Sequence, residues 1–318
     1  MKILITGGAG FIGSQLCKLL ALDGDTITII DDLSTGKLSN LKCFEQIEFI
    51  DGSILDEDLV NRIMKKVSVC YHLAASLGVK KIVESPIKSL ESNIKGTEVV
   101  LNAAARYKVR TLLASSSEVY GKNPNQPLTE ESDRHLGSPK ISRWSYSEAK
   151  AINEMYAHEL NKISSLPITI ARLFNTVGVH QSGDYGMVLP KIVSLALKNE
   201  PVIVYGDGSQ SRTFTAVSDV VIALRDLIKS ERTINEVYNV GGNNPITITN
   251  LAELVILMSR SKSKIIYKPF EEIFGSYFEE PKSRIPDITK IQETIGWSPI
   301  KSIDEIVLEV IEYQKKIL

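Results

Sequence analysis

The sequence predicts an α/β fold, in which a doubly wound parallel sheet is followed by a smaller C-terminal lobe. Three observations predict it. Short β-branched runs alternate with longer helical patterns through the first half of the chain, as in proteins whose parallel strands are joined by helices. A glycine-rich turn directly follows the first run. The length of 318 residues exceeds one minimal domain and leaves room for a second lobe.

The strand candidates come in order along the chain. KILIT, TITIID, IEFID, VCYHLAA and RTLLASS are rich in residues that favour strands. ITIARLF and EVYNVGG follow, and the latter is expected to return to the sheet near residues 235–242. Turn-forming clusters such as YGDGSQS and GGNNP loosen the later pattern. We therefore expect the main sheet in residues 1–180 and the smaller lobe mostly in residues 181–318.

Composition excludes several classes of partner. The chain has 37 Lys and Arg residues and 38 Asp and Glu residues, and its basic residues do not form a run. Nucleic acid is therefore not expected as a partner. Uninterrupted apolar runs stay well below membrane-spanning length, and glycines break up the start MKILITGGAGFIGSQL, which does not resemble a signal peptide. A cytoplasmic location without membrane contact is expected.

The cysteines and histidines are isolated from one another. Cys17, Cys43 and Cys70 are odd in number and lack CxxC spacing, which suits reduced thiols. The histidines lack the spacing of metal ligands, so no metal site is predicted. They are His72, His135, His158 and His180.

The glycine-rich turn is typical of a phosphate-binding loop. Gly8, Gly10 and Gly13 match GxGxxG, and Gly7, Gly10 and Gly13 match the related GxxGxxG. Glycine permits a tight turn and a close approach of a pyrophosphate to backbone N–H groups at a helix N-terminus. Because the motif follows a strand and opens a helix, the sequence predicts a Rossmann-type dinucleotide site.

An acidic residue follows this loop at the expected distance. Asp31 ends TITIID about twenty residues after the glycines, where a carboxylate accepts hydrogen bonds from the adenosine ribose. Its charge would repel a 2′-phosphate, which favours NAD over NADP. Asp32 comes next, so either acid could be the ribose ligand.

Tyr146 and Lys150 in SRWSYSEAK are four residues apart, so on a helix both side chains lie on one face. A phenol with an ordinary pKa of about 10 is a poor base at neutral pH. A neighbouring ammonium would lower that pKa and let Tyr146 take a proton from a substrate hydroxyl. A surface placement is the alternative for so short a motif.

A run of polar residues ends the fifth strand candidate. Ser115, Ser116, Ser117 and Glu118 directly follow the apolar stretch VRTLLA. Polar groups that leave water need partners, so these side chains either cap the next turn or face a ligand.

Taken together, the motifs resemble those of the extended short-chain dehydrogenase/reductases, in their nucleotide-sugar epimerase/dehydratase branch. The matching segments span nearly the whole chain: TGGAGFIG, YHLAA, NIKGT, SSSEVYG, YSEAK, ARLFNTVG, VYGDGSQSRTF, VSDVV, NVGG and RIPDITKIQETIGWSP. The resemblance implies a tightly held NAD that is recycled within one turnover, a UDP-sugar or dTDP-sugar substrate bound by the smaller lobe, and a homodimer formed through a helix bundle.

The resemblance also implies roles for single residues. Asp51 and Ile54 would lie near adenine, Asn93 would support the active-site network, and Lys150 would hold the nicotinamide ribose. The remaining cofactor-binding positions are Gly7, Gly10, Phe11, Ile12, Gly13, Asp31, Ala74 and Ala75. The positions implied to contact the substrate are Ser117, Asn175, Arg212 and Arg284. For the two arginines, a surface salt bridge is the alternative.

The residues before VYG sort this family by reaction. Ser116 falls where a hydroxyl bonds the sugar 4-hydroxyl beside the tyrosine. Sugar 4,6-dehydratases carry Asp then Glu at the next two positions, whereas this chain has Ser117 and Glu118. UDP-glucuronate decarboxylases resemble it better, since they carry Ser and Glu there and share FNT. However, Val179 and His180 replace their usual Pro and Arg, and His180 either substitutes for that cation or packs in a loop.

The sequence therefore favours NAD-dependent oxidation of a UDP-sugar at C4, with decarboxylation of UDP-glucuronate as the leading outcome. Epimerisation at C4 of UDP-glucose, UDP-N-acetylglucosamine or UDP-glucuronate is the close alternative. A non-catalytic NAD-binding regulator is a remote third, because such relatives often lose the tyrosine.

Overall fold

The structure is a computed structural model, and it describes residues 1–41, 47–76, 86–181, 183, 187–270, 272 and 279–318. Its centre is a seven-stranded parallel sheet in the order β11-β6-β5-β4-β1-β2-β3. The strands of this sheet are β1 Lys2–Thr6, β2 Thr26–Asp31, β3 Ile47–Asp51, β4 Val69–His72, β5 Arg110–Ser116, β6 Ile168–Leu173 and β11 Val237–Val240.

Helices cover both faces of the sheet. One face packs on α1, α6 and α8 through a core that includes Leu16, Leu224 and Ile291. The other packs on α2, α3 and α4 through a core that includes Val60, Val100 and Ala157. The helices are α1 Phe11–Leu22, α2 Glu57–Met64, α3 Pro86–Tyr107, α4 Ser145–Ser164, α5 Val188–Leu197, α6 Val217–Lys229, α7 Ile248–Ser259, α8 Thr289–Ile295 and α9 Ile303–Lys315.

Burial on both faces explains why the central strands read as continuous apolar runs. In β1 the four residues that follow Lys2 are buried, as expected for a parallel sheet covered by helices. The chain runs outward from β1 to β2 and β3, then returns to β4 on the other side of β1. This reversal opens a crevice at the carboxyl ends of β1 and β4, where ligands of such sheets bind. The predicted doubly wound fold is confirmed.

The smaller lobe has a core of its own. Helices α5, α7 and α9 pack around short strands through residues such as Ile192, Leu251 and Val310. These strands form one three-stranded sheet, β12-β9-β14, and two pairs, β8 with β13 and β7 with β10. They are β7 Thr176–Val177, β8 Val202–Tyr205, β9 Ser211–Thr213, β10 Thr215–Ala216, β12 Pro245–Thr247, β13 Ile265–Lys268 and β14 Ser283–Arg284.

Three elements beyond residue 180 belong with the main sheet, namely β11, α6 and α8. Strand β11 pairs with β6 at one edge, as the sequence indicated for residues 235–242, and α6 packs on α1. The division near residue 180 remains a prediction.

Cys17 and Cys70 are buried free thiols, and Cys43 lies outside the described residues. In the part of the chain that the structure describes, the helices are all too short or too polar to cross a membrane.

Candidate active site

The glycine loop joins β1 to α1 at the crevice of the sheet. Gly7 has a φ of +73°, and a Cβ there would lie 2.8 Å from backbone atoms of Ala74. A Cβ on Gly13 would lie 2.2 Å from the carbonyl oxygen of Gly7, so helix and loop meet backbone to backbone. Gly10 precedes Phe11 and Ile12 without a side-chain cap from any described residue. The first N–H groups of α1 are therefore placed to receive a phosphate, which fits a dinucleotide cofactor.

Asp31 and Asp32 have different surroundings. The Asp31 carboxylate accepts from the backbone N–H groups of Ala9 and Leu33, each at 2.9 Å, and is 8% exposed. Burial raises the pKa of this carboxyl, and the two backbone hydrogen bonds oppose the rise. Asp32 is exposed and accepts from the N–H of Ser34 at 3.0 Å. Only Asp31 is fixed against the glycine loop, so we favour it as the ribose ligand.

The segment after β4 borders the same crevice. The backbone N–H of Ala74 donates to Thr6 Oγ1 at 3.3 Å, and Ala75 follows half-buried. The side-chain amide of Asn93 makes two hydrogen bonds with the backbone of Ser76. The amide oxygen accepts from the N–H of Ser76 at 2.8 Å, and the amide nitrogen donates to the carbonyl of Ser76 at 3.1 Å. Asn93 is 1% exposed, so the structure places it as a support of this segment.

The two residues implied near adenine lie beyond β2, towards the sheet edge. Asp51 ends β3 and is exposed. Ile54 is buried and lies so close to Gly96 that a Cβ there would come within 2.4 Å of it. Contact of either residue with a cofactor stays a prediction.

Two serines of the run bond neighbouring groups of the protein. Ser115 donates to the buried carboxylate of Glu154. Ser116 accepts from the N–H of Glu118 at 3.2 Å and caps the 3-10 turn Ser117–Tyr120. The same Ser116 side chain hydrogen-bonds Tyr146. The next residue, Ser117, is buried at 2% exposure. Ser116 therefore lies beside the tyrosine, and its contact with a sugar hydroxyl stays a prediction.

Helix α4 brings Tyr146 and Lys150 to this point. Lys150 donates to the carbonyl of Ala114 at 2.7 Å, and its Nζ lies 5.9 Å from the centre of the Tyr146 ring. Burial lowers the pKa of Lys150 to about 8. The pKa of Tyr146 lies above its ordinary value, because burial and the charge of Glu118 outweigh the hydrogen bond with Ser116. The sequence predicted a lowered pKa for Tyr146, whereas its surroundings in the structure raise it. The phenol therefore needs further positive charge in the site to ionise.

The carboxylate of Glu118 is gripped by two arginines. Arg143 Nη1 donates to Oε2 at 2.7 Å and Arg143 Nη2 to Oε1 at 3.0 Å, while Arg284 Nη1 donates to Oε1 at 2.8 Å. Burial alone would raise the pKa of Glu118, but the charges and hydrogen bonds of Arg143 and Arg284 hold it well below its usual range. The carboxylate therefore stays ionised at neutral pH and is a poor proton donor.

Arg212 and Glu280 complete a ring of charges around this carboxylate. Arg284 and Arg212 are register partners on β14 and β9. Arg212 is paired with Glu280, which also lies 3.8 Å from Arg143. Three arginines face two glutamates, which leaves one net positive charge. Nε and Nη2 of Arg284 and Nε of Arg143 are buried without a hydrogen-bond partner among the described residues, so these donors of the ring are unsatisfied.

Comparison with known proteins identifies the family. The model described as GDP-mannose 4,6 dehydratase matches residues 4–310. The chain belongs to the nucleotide-sugar epimerase/dehydratase family of extended short-chain dehydrogenase/reductases. A UDP-N-acetyl-alpha-D-glucosaminuronate decarboxylase of Bacillus cytotoxicus is 38% identical over 99% of this chain and 98% of the relative.

Solved structures of this family share the whole fold. UDP-glucose 4-epimerase of Thermotoga maritima, with UDP-glucose, is 31% identical at a TM-score of 0.90, covering 100% of this chain and 99% of that one. UDP-glucuronic acid 4-epimerase of Bacillus cereus, in complex with UDP-glucuronic acid and NAD, is 28% identical at a TM-score of 0.89 and covers 100% of both chains.

In this epimerase/dehydratase-family chain, the other implied substrate contacts have partners of their own. Asn175 donates to the carbonyl of Thr213 at 3.0 Å. Besides Glu280, Arg212 donates to the carbonyls of Ser211 at 2.7 Å and Pro281 at 2.8 Å. Its guanidinium thus fastens the chain around residue 281, and a contact with substrate stays a prediction.

His180 contacts α1 and α9. Its Nδ1 lies 3.1 Å from Nε2 of Gln15 on α1, and its ring centre lies 5.7 Å from that of Tyr313. Burial and the charge of Lys18 lower its pKa. These contacts support the packing alternative, and a contact of His180 with substrate stays a prediction.

Two members of the charge ring, Arg143 and Glu280, escaped sequence analysis. Arg143 stands three residues before Tyr146 within SRWSYSEAK, so an arginine one turn before a candidate tyrosine was the available signal. Glu280 had no comparable signal, because only the fold brings it to Arg212.

Proposed function

We propose that this protein binds NAD and uses it to oxidise a UDP-linked hexuronate at C4, with loss of carbon dioxide as the outcome. The observation that carries the proposal is the grip of Arg143 and Arg284 on Glu118, with two N–H groups of Arg284 left over. A sugar carboxylate would be repelled by Glu118 alone, and the net positive charge of the ring removes that conflict. UDP-glucuronate and UDP-N-acetylglucosaminuronate are the leading substrates, and the decarboxylase relative supports this.

The residues present fit NAD. The loop of Gly7, Gly10 and Gly13 and the first turn of α1 would hold the pyrophosphate, Asp31 the adenosine ribose and Lys150 the nicotinamide ribose. When bound, NAD would accept a hydride from C4 of the sugar and later return it there. The NAD complex of the Bacillus cereus relative supports the assignment.

Tyr146 is the proposed base for the sugar 4-hydroxyl, with Ser116 bonded beside it. Because burial favours the neutral phenol, the tyrosine would hold its proton until positive charge enters the site. Lys150 lies on the same helix face, is mostly protonated at neutral pH, and keeps its donor directed at Ala114.

Decarboxylation follows from the chemistry of the oxidised sugar. A ketone at C4 makes the C5 carboxylate a β-keto acid, so the electron pair left by departing carbon dioxide would move into the ketone and form an enolate. Water would then protonate the enolate at C5, which restores the C4 ketone on a pentose. Glu118 is ionised and held by three N–H groups, so we assign it to steering the ring and its carboxylate.

Epimerisation at C4 is the second candidate. Tyr146, Lys150 and Ser116 serve both reactions, and the two solved relatives at TM-scores of 0.90 and 0.89 are named 4-epimerases. The co-location of these three residues argues against a regulator without catalysis.

A second copy of this chain is the proposed partner. Helices α3 and α4 pack together, and α4 exposes apolar side chains at helical spacing, namely Ile152, Met155 and Ile163 at 43%, 57% and 80% exposure. Such a row favours burial against another helix pair.

Incubation with sugar nucleotides tests the activity. Purified protein is mixed with UDP-glucuronate, UDP-N-acetylglucosaminuronate, UDP-glucose and UDP-N-acetylglucosamine, and NMR identifies the products while released carbon dioxide is measured. We expect a UDP-pentose from a hexuronate, and Tyr146→Phe should lower turnover about a hundred-fold to ten-thousand-fold with its NAD content unchanged. Interconversion at C4 without carbon dioxide would replace decarboxylation by epimerisation. NADP rather than NAD in the denatured protein would refute the role of Asp31.

A further inference from the structure

We propose that Arg143 is a positioning residue that fixes Glu118 for the sugar chemistry and acts on the reaction only through Glu118. This inference rests on the proposed C4 chemistry. Arg143 stands just before the helix that carries Tyr146, and it binds Glu118 in the turn after β5.

The contact between Arg143 and Glu118 is geometrically specific. Two nitrogens of one guanidinium meet the two oxygens of one carboxylate, at 2.7 and 3.0 Å. Arg284 reaches only Oε1. Among the described residues, Arg143 is thus the side chain that bonds both oxygens, and it alone fixes rotation of the carboxylate plane. Without it, the carboxylate of Glu118 would be tethered through Oε1 alone.

Arg143 is itself held in place. It lies in the 3-10 turn Ser142–Trp144, directly before α4, and is 8% exposed. Its guanidinium lies 5.5 Å from the centre of the Trp144 ring. On the other side of Tyr146, Ser147 donates to the carbonyl of Glu118 at 2.6 Å. Residues on both sides of the tyrosine therefore bind Glu118, once by its side chain and once by its backbone.

This arrangement sets the distance between two parts of the proposed reaction. Tyr146 serves the hydroxyl at C4, and Glu118 faces the substituent at C5. A side chain that locks Glu118 to the turn carrying Tyr146 keeps these groups aligned on neighbouring carbons, and small losses of alignment are costly in rate.

A double-mutant cycle tests the inference. The variants are Arg143→Gln, Glu118→Gln and the double variant, with Arg106→Gln as a control at an exposed arginine that donates to Asn61 at 3.0 Å. Turnover and KM are measured for the C4 chemistry that the wild type performs. Each single variant should lower kcat about a hundred-fold with little change in KM, and the double variant should be no slower than Glu118→Gln alone.

The same cycle contains the results that would overturn the inference. If Arg143→Gln slows the Glu118→Gln protein by the full factor that it costs the wild type, Arg143 acts independently of Glu118, for example by touching the substrate. A second readout is the pH profile of kcat, whose acid limb should move to higher pH in Arg143→Gln because Glu118 has lost a cation. An unmoved limb, together with additive losses, would leave Arg143 as a packing residue.

Two further measurements cover other outcomes. Should Arg143→Gln not fold, Arg143→Lys keeps the charge without the paired donors, and an undiminished kcat in that variant would also refute the inference. A wild type without turnover would refute the proposed function alone. In that case the same three variants are compared by their Tm. If the two single substitutions lower Tm by amounts that add up in the double variant, Arg143 does not act through Glu118.

Discussion

Two buried glutamate–arginine clusters lie beside α4, and they differ in how completely they are paired. In the first, Arg172 donates through Nε and Nη2 to Glu154 and through Nη1 to Tyr120 Oη and the carbonyl of Glu130. In the second, Arg143 and Arg284 share Glu118, and Nε and Nη2 of Arg284 find no partner within the described part of the chain.

The difference separates two uses of the same residue types. A buried charge network whose donors are all satisfied holds strands and helices together, and removing one partner is costly. A buried arginine with spare donors is expensive to keep unless a ligand uses them. The closed cluster of Glu154 and Arg172 is therefore structural, whereas the open cluster around Glu118 is suited to an anionic ligand.

The largest expected effect comes from neutralising each glutamate in turn. Glu118→Gln should lower turnover at least about a hundred-fold, because the aligned carboxylate is lost. Glu154→Gln should lower the free energy of unfolding by about 3–5 kcal/mol, because Arg172 is left buried with an unpaired charge, while turnover of the folded protein changes far less. Steady-state kinetics and urea unfolding on both variants measure the two effects. Equal losses of turnover would erase the distinction between the clusters.

A smaller effect is expected from the two arginines of the β9–β14 pair. Arg284→Gln should weaken binding of UDP-glucuronate by about 1.5–3 kcal/mol, since it removes donors available to an anion. Arg212→Gln should weaken it less, because the Arg212 guanidinium already binds Glu280 and backbone carbonyls. Calorimetry in the Tyr146→Phe background avoids turnover. A greater loss from Arg212→Gln would mean that its own partners give way to substrate.

The smallest effect is expected in the pH dependence of stability, through the ionisation of Glu118. Because the folded-state pKa of Glu118 is held below its ordinary value, its contribution to stability is complete above the pKa of an unfolded glutamate, about 4.3, and is lost as the pH falls from there towards the folded value. The stability difference between wild type and Glu118→Gln should be constant from pH 6 to 8 and shrink below about 4.3, by up to about 1.4 kcal/mol per pH unit. Urea titrations at several pH values measure it. A difference that grows with acid would contradict the lowered pKa.

The sequence predicted best those arrangements that depend on neighbours along the chain. Gly7, Gly10 and Gly13 lie within seven residues, and Tyr146 and Lys150 lie on one helix face, so their spacing predicted that each group comes together. Alternating runs likewise predicted the strands. The choice between Asp31 and Asp32 needed the fold, because only the structure shows which carboxylate turns back to Ala9.

Pairs that meet across the fold could not be read from spacing. Glu118 meets Arg284 across 166 positions and Arg143 across 25 positions. The direction of the Tyr146 pKa shift also depends on burial and on Glu118, neither of which the YxxxK pattern reveals. His180 settles on α1 through contacts with Gln15 and Tyr313 that no local motif indicates.

The return of β11 to the sheet limits how this chain can be divided in the laboratory. A gene fragment that stops near residue 180 would leave β6 without its neighbour along Ile170 to Leu173 and would uncover the apolar side of α1 that α6 protects. Its product would present an open strand edge, a common origin of aggregation. The complementary fragment would carry β11 and α6 with no sheet to join. Split reporters, fusions and separately expressed halves should therefore avoid this boundary, since it divides the core between the main sheet and α1, α6 and α8.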